Sequence, residues 1–430
     1  MKRMGMTMIA MLVSIGTMVG CSNESEISST SQSPEGEKNE QVSATTSGDK
    51  VQIKLWLDYD NYGEAIEKQI EEHLPNIDIV WEKVATTQTG NKLELDGPAG
   101  IGPDLFLIPH DGLSKLIQGN IVLPIGEDLT ANVKERFIES AVETVKLGDQ
   151  YYGVPLSTET PTLFYNKTLL DEYEFDVAKT FEEIKAQGDI FNNAAENKFI
   201  FRFDAGGAYT MNFFLTAMGY ELFGPDHNDP EAINFTRKEA IEGLKYYASM
   251  REYLPVPYAD LIYDTIDAEF RKGTVPYIIT GPWEIPSIKA EADFEWGVTT
   301  LPTINGVQPL TFSGNIIACM SAYSQHPQEA RQVLEYIISN EGLETLYKVQ
   351  SSIPALKDAI VIDGLADDEY IMGILAQAQY SEAMPSIPEM GNFWTPAETM
   401  YRSIWAGLAT PEEAAQKALD DYIASLQVSQ

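Results

Sequence analysis

The chemistry open to this chain lies in its aromatic rings and its carboxylates. Six tryptophans and 21 tyrosines occur, and two of the tryptophans stand in strings marked by Gly or Pro: Trp283 in Thr280-Gly281-Pro282-Trp283 and Trp394 in Gly391-Asn392-Phe393-Trp394-Thr395. A lone tryptophan is more often core than site, but these strings put the ring at the end of an element, where burial is not automatic. A ring so placed can stack on the apolar C–H face of a pyranose, while carboxylates hold the sugar hydroxyls through charge-assisted hydrogen bonds. The combination suits a sugar.

Other chemistries fail on spacing. Asp58-Tyr59-Asp60-Asn61-Tyr62-Gly63 offers oxygens at the first and third positions of a calcium loop and glycine at the sixth. Tyr62 then occupies the fifth position and Gln69 the twelfth, where a bidentate carboxylate is needed. The histidines His73, His110, His227 and His326 are isolated, and no HExxH or CxxC spacing occurs, so no metal site is expected. No phosphate-cradling or nucleophile-elbow string is present, residues 97–102 do not fit the dinucleotide fingerprint, and no cofactor is expected. Carboxylate pairs for glycoside hydrolysis could be drawn almost anywhere among 65 acidic residues, so they neither support nor exclude an enzyme.

The elements that must position these residues are legible as alternation. Residues 51–57, 77–81, 103–108, 199–203, 275–280 and 295–301 read as strands, and residues 62–74 read as a helix between the first two, which predicts an α/β architecture. A helix is expected over 236–253, with Thr236 as its cap and Glu239 at the capping-box position. The last helix begins with Thr410 as cap, Pro411 at the first helical position and Glu413 three residues after the cap. The chain beyond Met390 reads as helical and amphipathic.

At 430 residues and 44% hydrophobic composition, the chain can bury large cores, and two cysteines cannot make a disulfide framework. The net charge of −36 argues against nucleic acid and anionic lipid headgroups as partners. Lys2 and Arg3 precede an apolar run that ends at Cys21, so residues 1–20 read as a secretory signal peptide. Met18-Val19-Gly20-Cys21 resembles a bacterial lipobox, in which the cysteine is lipidated and becomes the new N-terminus; a non-lipidated signal peptide and an uncleaved anchor are the alternatives. Residues 22–49 are rich in Ser, Thr, Glu, Gln and Gly and read as a flexible tether. Cys319, in an apolar run, is expected to be a small buried hydrophobe.

Several strings together resemble a known family. They are Gly102-Pro103-Asp104 through His110-Asp111, Tyr152-Gly153-Val154-Pro155, Leu163-Phe164-Tyr165-Asn166-Lys167, Phe270-Arg271-Lys272-Gly273, Thr280-Gly281-Pro282-Trp283, Gly297-Val298-Thr299-Thr300-Leu301-Pro302 and Met384-Pro385-Ser386-Ile387-Pro388-Glu389-Met390 leading into Phe393-Trp394. In this order, from about Val51 to the C-terminus, the chain resembles the maltose/maltodextrin-binding proteins of ABC importers. The resemblance implies a two-lobed α/β periplasmic-binding-protein fold with a hinged ligand cleft, and chain crossovers near Ser157, Thr311 and Ile362. The first lobe would comprise 50–157 with 312–362, and the second 158–311 with 363–430.

Site residues follow from the same resemblance. Asp60, with Asn61 beside it, Asp111 and Glu159 match positions that accept sugar hydroxyls; Trp283 and Trp394 match stacking tryptophans; Met384 matches an apolar contact; Tyr209 and Tyr263 fall near expected aromatic positions. The chain departs from the family where Asn61, Ile108 and Gly112 replace a lysine, a tryptophan and an arginine, and where Thr395 and Glu398 replace an aromatic and a basic residue. The departures imply a ligand held mainly by the second lobe, and a glucan longer than maltose or of different shape. The implied function is a monomeric, non-enzymatic, lipid-anchored extracytoplasmic receptor that delivers maltodextrins to an ABC permease. The alternatives are a receptor for another oligosaccharide or a polyol, a secreted glycosidase, and an adhesive surface lipoprotein.

Overall fold

The computed structural model describes residues 50–428. The expected signal peptide, the lipidation of Cys21 and the tether lie outside the described residues. The N-terminal β-rich runs become β1 (Val51–Leu57), β2 (Ile77–Lys83), β3 (Leu105–Pro109) and β4 (Val122–Leu123), followed by a hairpin of β5 (Lys146–Leu147) and β6 (Gln150–Tyr151). Then come β7 (Val154–Glu159), β8 (Thr162–Asn166), β9 (Phe201–Arg202), β10 (Tyr277–Thr280), β11 (Trp296–Thr299), β12 (Thr311–Ser321), β13 (Ile353–Pro354) and β14 (Ser381–Ala383).

The larger sheet has the order β13-β7-β12-β3-β1-β2, with β4 and β14 also paired to β12. β1 runs parallel to both β2 and β3, with Leu55 opposite Leu105, and parallel neighbours require a crossover. The helix Asp60–His73 supplies the first one, burying Tyr62, Gly63, Ile66 and Ile70 on one face at helical spacing. The smaller sheet has the order β11-β8-β10-β9, with β8 antiparallel to both neighbours and β9 parallel to β10.

β12 belongs to two cores. Its Phe312 lies in the apolar cluster with Phe203, Phe214, Tyr247 and Trp405, whereas Ile316, Ile317, Ala318, Cys319 and Met320 lie in the cluster with Leu55, Phe106 and Leu156. An 11-residue strand reaches roughly 35 Å, enough to serve both. The chain also passes from β7 in the larger sheet to β8 in the smaller one through Thr160-Pro161. A buried polar junction ties these passages together. The Thr160 and Thr311 hydroxyls lie 2.6 Å apart, and Gln377 Nε2 donates to Thr311 Oγ1 at 3.2 Å and to the Tyr380 carbonyl at 3.0 Å. Unpaired polar groups at that depth would each cost about 1–3 kcal/mol, so this junction holds the crossing strands in one arrangement.

Two helix starts show local chemistry succeeding and failing. Thr410 forms the expected capping box: Glu413 N donates to Thr410 Oγ1 at 3.2 Å, and Thr410 N donates to Glu413 Oε2 at 3.0 Å. Thr236 does not cap. The helix is Lys238–Ser249, and the Thr236 backbone N–H and hydroxyl both donate to Asn234 Oδ1, at 2.9 and 2.7 Å. The cap position falls on Arg237, and Thr236 instead closes an Asx turn on Asn234. Cys319 is fully buried, and burial pushes its thiol pKa up.

Candidate functional site

Four aromatic rings run in an unbroken row. Trp283, in the turn Pro282–Glu284 after β10, lies 6.2 Å from Tyr209, which sits on the short helix Ala208–Met211. Tyr209 stacks on Phe312 of β12 at 6.2 Å, and Phe312 meets the edge of Trp394 at 6.3 Å and 79°. Trp394 stands on the helix Met390–Trp405 and is braced by Phe393 at 5.0 Å. Trp283, Tyr209 and Trp394 are all half-buried. Glycine is required for the row at Gly281, whereas a side chain at Gly314 would make only ordinary contact. A Cβ on Gly281 would fall 2.1 Å from the Trp283 ring, and one on Gly314 would lie 3.4 Å from the Tyr209 hydroxyl and 3.5 Å from the Met384 methyl.

Carboxylates border this row. Trp394 Nε1 donates to Asp111 Oδ2 at 2.8 Å, joining the helix Met390–Trp405 to the turn His110–Gly112 that follows β3. Glu159 ends β7, and its backbone carbonyl accepts from the Tyr209 hydroxyl at 3.2 Å. Its side chain is buried, and desolvation together with the nearby charge of Asp58 pushes its pKa up to about 7. A carboxyl poised there can accept a hydroxyl when ionised or donate one when protonated. Asp58 itself accepts from the backbone N–H of Thr86 at 3.0 Å. Tyr59, half-buried at the head of the helix Asp60–His73, has its phenol pKa raised by burial, then by Glu159 and Asp58.

Met384 is buried and held from both sides. Its N–H donates to the Ser313 carbonyl at 3.0 Å, and its carbonyl lies 3.0 Å from His110 Nε2. The Asn315 N–H donates to His110 Nδ1 at 3.1 Å, so Nδ1 is the acceptor and Nε2 carries the hydrogen that bonds Met384. Ser114 Oγ donates to the Ser386 carbonyl at 2.9 Å, a second tie on the same segment.

The structure thus joins Asp111, Glu159, Tyr209, Trp283, Met384 and Trp394 through direct contacts or one intervening ring. Tyr263, first residue of the helix Tyr263–Arg271, enters behind Trp283, whose Nε1 donates to the Tyr263 hydroxyl. Asp60 and Asn61 stand apart: Asp60 is exposed and ion-paired with Lys83 at 2.7 Å, and Asn61 is exposed beside it. Asp58, Tyr59, His110 and Phe312 belong to this constellation and were not named as site residues from the sequence. The signal available was position: each sits at, or within two residues of, the end of a strand.

Comparison with known proteins places the chain. The profile of the family described as bacterial extracellular solute-binding protein matches residues 64–372. The chain belongs to this family. Among related solute-binding proteins, a galactooligosaccharide-binding protein of Bacillus subtilis (strain 168) is 25% identical over 392 residues, covering 89% of this chain and 91% of its own. A maltodextrin-binding protein of the same organism is 27% identical over 395 residues, covering 88% of this chain and 90% of its own. A crystal structure of a cyclo/maltodextrin-binding protein complexed with maltotetraose superposes with a TM-score of 0.73 at 29% identity, over 89% of this chain and 99% of that one. The fold of this solute-binding protein is therefore the two-lobed α/β fold of that structure.

Proposed function

We propose that this solute-binding protein captures maltodextrins, α-1,4-linked gluco-oligosaccharides, and delivers them to the membrane permease of an ABC importer. The observation that carries the reading is the aromatic row from Trp283 to Trp394 bordered by Asp111 and Glu159. The half-buried rings of Trp283, Tyr209 and Trp394 offer stacking platforms backed by the buried Phe312, and bordering carboxylates orient each sugar through its hydroxyls. The likeness to a maltotetraose complex supports the choice of glucan, and the closely covering maltodextrin-binding relative supports it again.

In this reading the lobes are residues 50–157 with 312–362 and residues 158–311 with 363–430, and sugar favours the closed arrangement by binding it better than the open one. No covalent chemistry takes place; the chain is a receptor. In this reading the exposed Asp60 and Asn61, which stand apart from the row, serve sugar units beyond it. Lipidation at Cys21 holds the receptor at the outer face of the cell membrane, with residues 22–49 as its tether and the permease as its partner.

A second reading is favoured by the galactooligosaccharide-binding relative, which covers as much of the chain. Thermal unfolding of the chain from Lys50 onward, alone and with maltose, maltotriose, longer linear maltodextrins, a cyclodextrin or galactooligosaccharides, separates the two. A ligand that binds only the folded state raises the midpoint, by RT ln(1 + [L]/Kd) in free energy. A rise with linear glucans that grows with length supports maltodextrins. A rise with galactooligosaccharides alone keeps the transport role and replaces the substrate.

A further inference from the structure

Behind Trp283 a chain of hydrogen bonds runs from a buried ion pair to the indole. Arg271 Nη1 donates to Glu284 Oε2 at 2.9 Å, the Tyr263 hydroxyl donates to Glu284 Oε1 at 2.9 Å, and Trp283 Nε1 donates to the Tyr263 oxygen. Every donor faces an acceptor, so the direction of each bond is set. Both ends of the ion pair are largely shielded, with Glu284 13% and Arg271 20% exposed, and shielding strengthens such a pair relative to one in water. Arg271 is itself fixed by a second bond, Nε to Glu291 Oε2 at 3.3 Å.

We propose that Glu284, clamped by Arg271, is a positioning residue for sugar recognition: through the Tyr263 hydroxyl it sets the plane of the Trp283 ring against the cleft. The inference rests on the reading of Trp283 as a sugar platform. A tryptophan in a short turn after a strand has two free side-chain torsions, and an indole N–H left to water would let the ring swing. Gly281 already removes the atom that would fill the space under the ring. Glu284 then removes the remaining freedom, because the ring can satisfy its N–H in one orientation only.

Two further features fit this role. Asp267, one turn along the helix from Tyr263, is 3% exposed and interacts with both Tyr263 and Glu284. Burial, and then the Glu284 charge, push its pKa up to about 8. The Tyr263 phenol is also pushed up by burial, then by Asp267 and Glu284, which keeps it a donor throughout the physiological range.

The test is a double-mutant cycle on maltotriose affinity, measured by titration calorimetry with thermal midpoints and the near-ultraviolet circular dichroism of the indoles recorded alongside. W283A is the control for the platform. E284A and Y263F are each expected to weaken binding roughly tenfold, to alter the indole spectrum, and to be non-additive, the double variant binding as weakly as either single one. R271Q is expected to follow E284A. If W283A leaves affinity unchanged, the platform reading fails. If W283A weakens binding while E284A and Y263F bind like wild type, or while their effects multiply independently, the positioning role is overturned. Should E284A fail to fold, Y263F, which leaves the ion pair intact, decides the matter by the same affinity and spectrum.

Discussion

His110 Nε2 donates to the carbonyl of Met384 across 274 positions of sequence, while its Nδ1 receives the N–H of Asn315. One buried imidazole therefore fastens the end of β3, the middle of β12 and the segment that leads to the Trp394 helix. No residue with a single polar function could serve both partners, which gives a structural reason for a histidine at this position.

Replacing His110 with Ala should cost about 3 kcal/mol of folding free energy, since two buried backbone groups lose their partner along with the ring's packing. Urea unfolding of the two proteins measures this, and a loss under about 0.5 kcal/mol would show that the bridge carries no weight. Maltotriose affinity should fall as well, because Met384 and the following segment lose their anchor.

The Asp111–Trp394 hydrogen bond makes a second expectation. D111N is expected to weaken maltodextrin binding roughly tenfold or more, by removing a charged acceptor for hydroxyls and a charged partner of the indole. W394F keeps a ring but loses the N–H. The double variant should bind more tightly than the product of the two single losses predicts, because the pair shares one bond. Calorimetric titration of the four proteins would expose simple multiplicativity, which would mean the bond is idle.

Glu159 makes stability depend on pH in a definite direction. Its pKa in the folded chain is raised to about 7, so between its ordinary value near 4.5 and about 7 the folded state holds a proton that the unfolded state has released. Stability thus falls as pH rises through that window and is flat above it. The full penalty is at most about 3 kcal/mol by linkage. E159Q should remove it, raising the sugar-free midpoint at pH 8 while changing it little at pH 4.5, and should weaken sugar binding. Midpoints for both proteins across pH 4 to 8 would show the convergence; parallel curves would contradict it.

Gly281 is extended, at φ −132° and ψ −174°, so its backbone would accept alanine. Its space would not, since the added methyl would meet indole carbons at 2.1 to 2.6 Å. G281A is expected to displace the Trp283 ring, weakening maltotriose roughly tenfold through lost stacking while lowering stability by only about 1–2 kcal/mol. Calorimetry and urea unfolding test the two halves separately, and unchanged affinity would show that the ring has no fixed task.

Much of the scaffold was written in short stretches of sequence. The strand at 51–57, the helix behind it and the second strand follow from alternation and helical spacing, and the Thr410 box follows from two side chains three residues apart, because local periodicity and capping need only neighbours in the chain. The rings of Trp283 and Trp394 could be nominated from their Gly- and Pro-marked strings for the same reason. What brings them into one row could not. Phe312 read as part of an apolar strand, and only the passage of β12 from one core into the other sets its ring between Tyr209 and Trp394. The family resemblance gave Asp60 and Asp111 the same task, yet Lys83 on the neighbouring strand claims the Asp60 carboxylate, whereas Asp111 meets an indole 283 positions away. Tertiary structure decided these matters because a carboxylate or a ring is assigned by whatever the fold brings within about 3 to 6 Å of it, and such partners leave no trace in local spacing.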